Sequence, residues 1–582
     1  MPQRDRSTGA QTGLLGSVAD RTNCVSQCAT PGRVERAVGA ARERSHRAPR
    51  ADSFWHNGCL CSLQSTFFTG ARARFMNVPA ELNPNVAWML WSEASNGDAV
   101  ALVDRDGSHT YTALRNRALA FAEALAGCGI GHDHRVAIFL ERGIDAAAAF
   151  FGTVALGGVA VNVNETLRPR QIEHILSHAG ARVLVTSGEL LSRQPRPIET
   201  EAMILDVAVL PQSPARQATP QARVGGDVAK ILYTSGSTGL PKGVTLSHAN
   251  LWAGARAVTS YLELTHEDRI ASLLPFSFDY GFNQLLCAVF RGATLVVERS
   301  PYPQQIVATL RTHHVTVLPA VPPLWLQLLR VPAFRSSPLP ALRVMTNTGG
   351  RIPTDAVRTL RQTQPHARLF LMYGLTEAFR STYLPPEEVD RRPDSIGKAI
   401  PGAEIMVLRE DLTPCAPGET GELVHRGPTV ALGYWQNPEA TARVYRPHPL
   451  RPPGTPDTER VVFSGDLVRR DEDGFLYHLG RREKFIKTLG YRVSPDEVTS
   501  VLYASGEIVE AVVTAEPDPD RGERIVAHVV LAPTGSVERL ASYAGVELAR
   551  YMQPARYEVR GALPRLPSGK YDLGAVGSAI AE

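Results

Sequence analysis

Alternating apolar and polar stretches give the chain its outline. Residues 111–126 repeat apolar side chains at helical spacing, and 135–140 form a continuous apolar run of strand length. A helix over 144–156 and a strand over 159–163 follow, then a helix over 170–178 and a strand over 181–185. The alternation returns with strands at 229–233, 269–274 and 293–297, a helix at 303–313, and a strand at 315–318. Strand and helix in turn, joined by short connections, predict an α/β fold of parallel sheets flanked by helices. From about Gly421 the texture shifts to shorter strands and turns. The final hundred residues read as a compact α+β unit: a helix over 495–504, strands over 510–515 and 525–531, and a helix near 537–551.

A chain of 582 residues is too long for one core. The expected organisation is a large domain over residues 76–481 and a small mobile α+β domain over 482–582. Residues 1–75, rich in Arg, Ser, Gly and Ala without periodicity, read as a disordered or non-native extension. Met76 is the expected start of translation, with a transit peptide as the second reading.

Charge sharpens this division. The 11 arginines and five acids of residues 1–75 give that segment +6, which leaves −2 for the rest of a chain whose net charge is +4. A body so close to neutral gives no basic face for nucleic acid. The seven cysteines are scattered, which fits a reducing compartment, and the cytoplasm is the expected location. The 16 residues between Asp145 and Asn162 carry no charge but fall short of the roughly 20 that a spanning helix needs. They read as a buried helix, a Gly157-Gly158 break and a strand, so no transmembrane segment is expected.

The stretch richest in chemistry is Tyr233-Thr234-Ser235-Gly236-Ser237-Thr238-Gly239-Leu240-Pro241-Lys242-Gly243-Val244. A Gly/Ser/Thr loop can turn its N–H groups toward one point, and hydroxyls and a lysine add donors and positive charge. Phosphate is the guest such a loop suits. It is not a Walker A loop, which needs Ser or Thr after the lysine, because Gly243 stands there. Ser247 is the expected N-cap of a helix that follows. Only six of the 62 basic residues are lysines. Against that background a lysine marks a place where a compact ammonium is needed, and Lys242 and Lys570 are the two expected to act.

This loop resembles the signature of the adenylate-forming superfamily of AMP-dependent synthetases and ligases, which includes acyl-CoA ligases, amino-acid adenylation domains and luciferases. The resemblance spans roughly Ala80 to Asp572 with the motifs in order. It implies that Thr234, Ser235, Gly236, Ser237, Thr238, Gly239 and Lys242 hold the ATP phosphates. It places Phe278, Asp279, Asn347 and Gly349 around the acid. Phe278-Asp279 looks like the pair whose Asp binds a substrate ammonium in amino-acid adenylating relatives; a helix cap is the other reading of Asp279. Gly349, Gly350 and Arg351 are implied beside adenine and the acyl carbon.

Residues 369–377 read as a buried strand ending in Tyr373-Gly374-Leu375-Thr376-Glu377. Open α/β sheets bind ligands at that edge. By resemblance Tyr373, Gly374 and Thr376 contact the nucleotide, and Glu377 holds Mg²⁺, a cation that prefers oxygen ligands. Asp466 in Ser464-Gly465-Asp466-Leu467 is implied on the ribose hydroxyls, which suits an acceptor-only group. Arg481 matches a nucleotide-contacting arginine and Glu483 the hinge, where the family has Asp or Lys. Lys570 in Pro567-Ser568-Gly569-Lys570 matches the lysine that bridges the carboxylate and the α-phosphate.

The function these matches imply is that of an AMP-forming acid–thiol ligase. It uses ATP, Mg²⁺ and CoA, makes acyl-AMP and pyrophosphate, and passes the acyl group on as a thioester. Residues 278–281 and 320–325 look similar to bacterial ligases that accompany exosortase and exopolysaccharide systems. The alternative is a free-standing amino-acid adenylating enzyme that loads an acyl carrier protein in trans, which Asp279 favours. A nucleotide-binding module without turnover is a third class, and intact Lys242, Glu377, Asp466 and Lys570 argue against it.

Overall fold

The computed structural model describes residues 84–92, 94–234, 241–350, 352, 354–456, 458–481, 486–493, 495–564 and 575–576. The extension expected over residues 1–75 lies outside the described residues.

Two large sheets form the body. In the first, six parallel strands run in the spatial order Val100–Asp104, Thr294–Val297, Arg269–Ser272, Val317–Ala320, Val344–Asn347 and Arg368–Tyr373. Short antiparallel strands complete it to nine. The second sheet has seven strands. Met203–Asp206, Ala181–Thr186, Arg135–Ile138, Val159–Asn162 and Val228–Thr234 are parallel neighbours in it. Helices follow most parallel strands, as the alternation predicts. Helix Ile144–Ala155 is buried on every side from Ala146 onward, which explains its lack of a polar face. Ser247 caps helix His248–Tyr261 by accepting the Asn250 N–H, as expected.

Three details differ from the sequence reading. The Gly-rich loop does not lead straight into a helix. Lys242–Ser247 is a strand antiparallel to Val228–Thr234, so the loop closes a hairpin and Thr234 pairs with Lys242. The antiparallel region begins earlier than Gly421: Glu404–Leu408, Thr420–Arg426, Arg460–Arg470, Tyr445–Pro447 and Leu476–Arg481 form a separate five-stranded sheet. The last long helix ends at Glu547, because Leu548 turns to an extended conformation, and Arg550–Met552 is a single 3-10 turn.

The smaller C-terminal domain is α+β, as expected. Its sheet runs Tyr491–Val493, Ile486–Thr488, Gly522–Leu531, Ile508–Asp518, with Arg556–Val559 parallel to Gly522–Leu531. Its apolar interior joins that of the seven-stranded sheet: Ile172, Ile175 and Leu176 pack in one buried cluster with Val498, Leu502 and Met552. Among the described residues no helix is long and apolar enough to cross a membrane.

Candidate active site

The C-terminal ends of the parallel strands of both sheets open on one cleft of about 450 Å³. Thr234 and Lys242 reach it from the hairpin of the seven-stranded sheet. Phe278 and Asp279 reach it from the turn after strand Arg269–Ser272, and Gly374, Thr376 and Glu377 from the turn after Arg368–Tyr373. A smaller cavity of about 70 Å³ adjoins it, lined by Asn347, Gly350, Tyr373, Asp466 and His478. Gly349, Gly374 and Arg492 line both spaces. Residues from 234 to 466, predicted from separate motifs, thus meet in one place.

Ser235, Gly236, Ser237, Thr238, Gly239, Arg351, Glu483 and Lys570 lie outside the described residues. Arg481 ends strand Leu476–Arg481, where its backbone pairs with Asp466.

Charge in the cleft is organised by aromatic hydroxyls. Tyr434 donates to Glu377 Oε1 at 2.7 Å, and the Lys242 ammonium stands 5.6 Å from the Tyr434 ring centre. The second oxygen of Glu377 takes no donor among the described residues, so the carboxylate has room for one more partner. In the smaller cavity Tyr373 donates to Asp466 Oδ2 at 2.5 Å, and His478 Nε2 stands 3.3 Å from Oδ1. Asp466 is buried, which leaves it an acceptor oriented by two neighbours. Asn347 donates to the Gly350 carbonyl at 3.2 Å, while its buried Oδ1 has no partner among the described residues.

Asp279 is the first residue of helix Asp279–Arg291, and Phe278 holds the N-cap position with no side-chain cap. Asp279 is therefore not the N-cap residue, although its side chain still takes up one N–H of the first helical turn. Its Oδ1 accepts the Tyr280 N–H at 2.6 Å and its Oδ2 the Thr376 hydroxyl at 3.1 Å. Burial pushes its carboxyl upward, opposed mainly by the positive charge of Arg380.

The smaller domain supplies the remaining wall. Gly490, Tyr491, Arg492, Glu497 and Tyr551 line the cleft. Tyr491 and Tyr551 stack at 3.7 Å, and Gln171 Nε2 meets Met552 Sδ at 3.0 Å across the contact between the domains. Gly490 and Gly349 face each other: a side-chain carbon at Gly349 would stand 3.9 Å from the Gly490 carbonyl oxygen, and one at Gly490 would stand 3.0 Å from Val321 Cγ2. Both glycines have φ near +80°, a region that L side chains rarely adopt. The turn 488–491 can approach the Gly349 backbone because it carries such a residue at position 490.

Sequence reasoning missed Arg380, Tyr434, His478 and Arg492. Arg380 closely follows the Tyr-Gly-Leu-Thr-Glu stretch and Arg492 follows Arg481 and Glu483 in sequence, so both stood near a signal. Tyr434 and His478 reach the site only through tertiary pairing.

Comparison with known proteins gives a consistent picture. The AMP-binding enzyme family matches residues 90–435, and the AMP-binding enzyme C-terminal domain matches residues 497–570. Novobiocin biosynthesis protein H of Streptomyces niveus is 31% identical over 506 residues, covering 83% of this chain and 81% of that protein. A linear gramicidin synthase polypeptide of Brevibacillus parabrevis is 30% identical over 481 residues, 82% of this chain, and the chain spans only 9% of that polypeptide's length. Among solved structures, o-succinylbenzoate CoA synthetase from Bacillus subtilis, bound with a product analogue, superposes with a TM-score of 0.75 at 27% identity. The match covers 84% of this chain and 98% of that one.

Proposed function

The chain belongs to the adenylate-forming family of AMP-binding enzymes, and on that premise we propose that it is an AMP-forming acid–thiol ligase acting with CoA. The observation that carries this reading is the convergence of Lys242, Thr376 and Glu377 on one cleft whose side cavity holds Asp466, with the smaller domain closing the opposite wall.

The acid enters ionised, since free carboxyls titrate near ~4. It needs no general base. The barrier lies in bringing one anion to another, and positive charge and oriented donors lower it. Lys242 and Thr376 supply these on the phosphate side. Lys570, by the resemblance of its motif, is the second cation, the one that would offset the charge of the carboxylate. The carboxylate oxygen attacks the α-phosphorus, the bond to the β-phosphate oxygen breaks, and pyrophosphate leaves with its electron pair.

Asp466 is the acceptor for the ribose hydroxyls. The unpartnered Oδ1 of Asn347 is an acceptor suited to an exocyclic amine of a base. Glu377, with one oxygen open to the cleft, fits the role of a single protein carboxylate on Mg²⁺. When bound, that cation would offset phosphate charge.

The smaller domain then turns about Glu483. With residues 490–492 at the cleft, a thiolate attacks the acyl carbonyl and AMP departs. The orientation of Gly490 against Gly349 supports this second step, because it sets two residues without side chains facing each other at the cleft wall. A second reading, activation of an amino acid for a carrier protein, draws support from Asp279 at the cleft wall.

The test is acid-dependent release of pyrophosphate across a panel of acids with and without an amino group, followed by addition of CoA or a carrier protein. Release with acids and AMP formation on adding CoA are expected. Turnover of amino acids alone, lost in Asp279→Ala and requiring a carrier protein, would replace the CoA reading with the second one.

A further inference from the structure

Five arginines are buried among the described residues: Arg117, Arg142, Arg223, Arg380 and Arg392. Four of them face a carboxylate. Arg117 pairs with Asp145 at 2.6 Å, Arg142 with Glu165 at 3.5 Å, and Arg223 with Asp133 at 2.5 Å. Arg392 sits among Glu388, Asp471 and Asp473. Arg380, only 3% exposed, is the exception: among the described residues it has no carboxylate within ion-pair distance; its Nε, like those of Arg142 and Arg392, has no hydrogen-bond partner.

Its position is built rather than incidental. The guanidinium carbon stands 4.8 Å from the Tyr280 ring centre and 5.0 Å from that of Phe379, which hold it in place without satisfying its donors. Its backbone takes φ +56°, a region costly for any residue but glycine. A buried cation left without an anion is expensive. Asp279 offsets part of that charge through space, but both of its oxygens are engaged elsewhere. Arg380 and Asp279 line the same cleft. A separate cavity of about 20 Å³ lies on the other side of Asp279, between Phe282, Asn283, Gly254 and Leu286, scarcely more than one water needs. A long alkyl chain does not fit there.

We propose that Arg380 is a specificity-determining residue whose missing anion arrives with the substrate: the acid activated carries a second carboxylate beyond the reacting one. This deepens the adenylating reading and rests on it. A planar guanidinium matches a carboxylate with two parallel N–H donors, which a plain aliphatic acid leaves unused. Two sources share this chemistry, a dicarboxylic acid and an acidic amino acid. The second would place its ammonium on Asp279.

The test compares matched pairs of equal length on the wild-type enzyme: succinate with butyrate, glutarate with pentanoate, and aspartate with 2-aminobutyrate. The readouts are pyrophosphate release and stabilisation against heat by each acid alone. The member with the distal carboxylate is expected to be preferred about 10- to 100-fold, the range of a charged hydrogen-bonded contact. Preference within the amino pair alone would identify the acidic amino acid; preference within the other two pairs would identify the dicarboxylic acid. Arg380→Met should erase the preference, and Arg380→Lys should retain part of it. Equal or better binding and turnover of the monocarboxylic partners by the wild-type enzyme would overturn the proposal while leaving adenylation standing. Absence of pyrophosphate release with every acid would instead count against the adenylating reading, and the heat-stabilisation preference would still decide the role of Arg380.

Discussion

Glu497 makes the contact between the two domains sensitive to pH. It lies on helix Pro495–Ala504 of the smaller domain and is 4% exposed, against Gln171 and Arg170 of helix Pro169–Ala179. Burial pushes its carboxyl from 4.5 up to about 7. A carboxyl raised in the docked state takes up a proton on docking. Docking in this orientation is therefore at full strength below pH 4.5, weakens as pH rises toward 7, and is flat above it. At about 1.4 kcal/mol per pH unit, the whole window is worth about 3 kcal/mol.

Glu497→Gln keeps the shape and the hydrogen bonding but removes the titration. At pH 8 it should favour this docked orientation and speed thiol transfer from supplied acyl-AMP. It should also flatten the pH dependence of that half-reaction. Glu165 lies near Tyr491 and Tyr551 at the same contact; burial raises it too, with Arg142 opposing, so a shallow residual slope is expected. The assay is single-turnover transfer between pH 5 and 8, with domain separation followed by energy transfer between labels on each domain. A variant whose slope and domain distance match wild type at every pH would refute the reasoning.

Other substitutions separate the two half-reactions. Gly490→Ala forces a side chain into φ +83° and against Val321, a cost of about 1–2 kcal/mol. It should slow thiol transfer while exchange of pyrophosphate into ATP continues, and equal loss of both would contradict the assigned contact. Lys242→Ala should lower the adenylation rate about 100- to 1000-fold, measured by the same exchange. Lys570→Ala should abolish adenylation but spare transfer from supplied acyl-AMP; loss of both would refute its assignment to the first step. Asp466→Asn should raise the KM for ATP about 10-fold with little change in KM for the acid.

The fold was legible wherever burial imposed a period. Helix Ile144–Ala155 and strand Val159–Asn162 could be read because their residues meet almost no water on any side. The site was legible where chemistry narrows the choice of residue over a short span: Thr234 and Lys242 on one loop, Tyr373 to Glu377 on one strand end. The hairpin at Lys242 was missed because glycine and serine announce a turn but not the direction the chain takes after it. The alternation of Val244 and Leu246 with Thr245 was the available signal for a strand. Tyr434 could not be found this way at all. It reaches Glu377 because Gly433–Tyr434 pairs with Lys242–Ser247, a partnership nearly two hundred residues distant.

Lysine scarcity, which pointed to Lys242 as a candidate catalytic residue, also marks Lys230, whose surroundings are different. Lys230 is fully buried on strand Val228–Thr234, bonded to Asn162, with its ammonium nitrogen 3.5 Å from the Phe282 ring centre. Burial drives its pKa far down. Rarity thus locates positions where an amine is needed, but only surroundings decide whether that amine works as a cation. Lys242 faces an open cleft, while Lys230 lies between aromatic rings. Arg380 reverses the case, since a guanidinium cannot shed its proton when buried. An arginine in the cleft with no carboxylate within ion-pair distance therefore says more about the substrate than a lysine buried between aromatic rings.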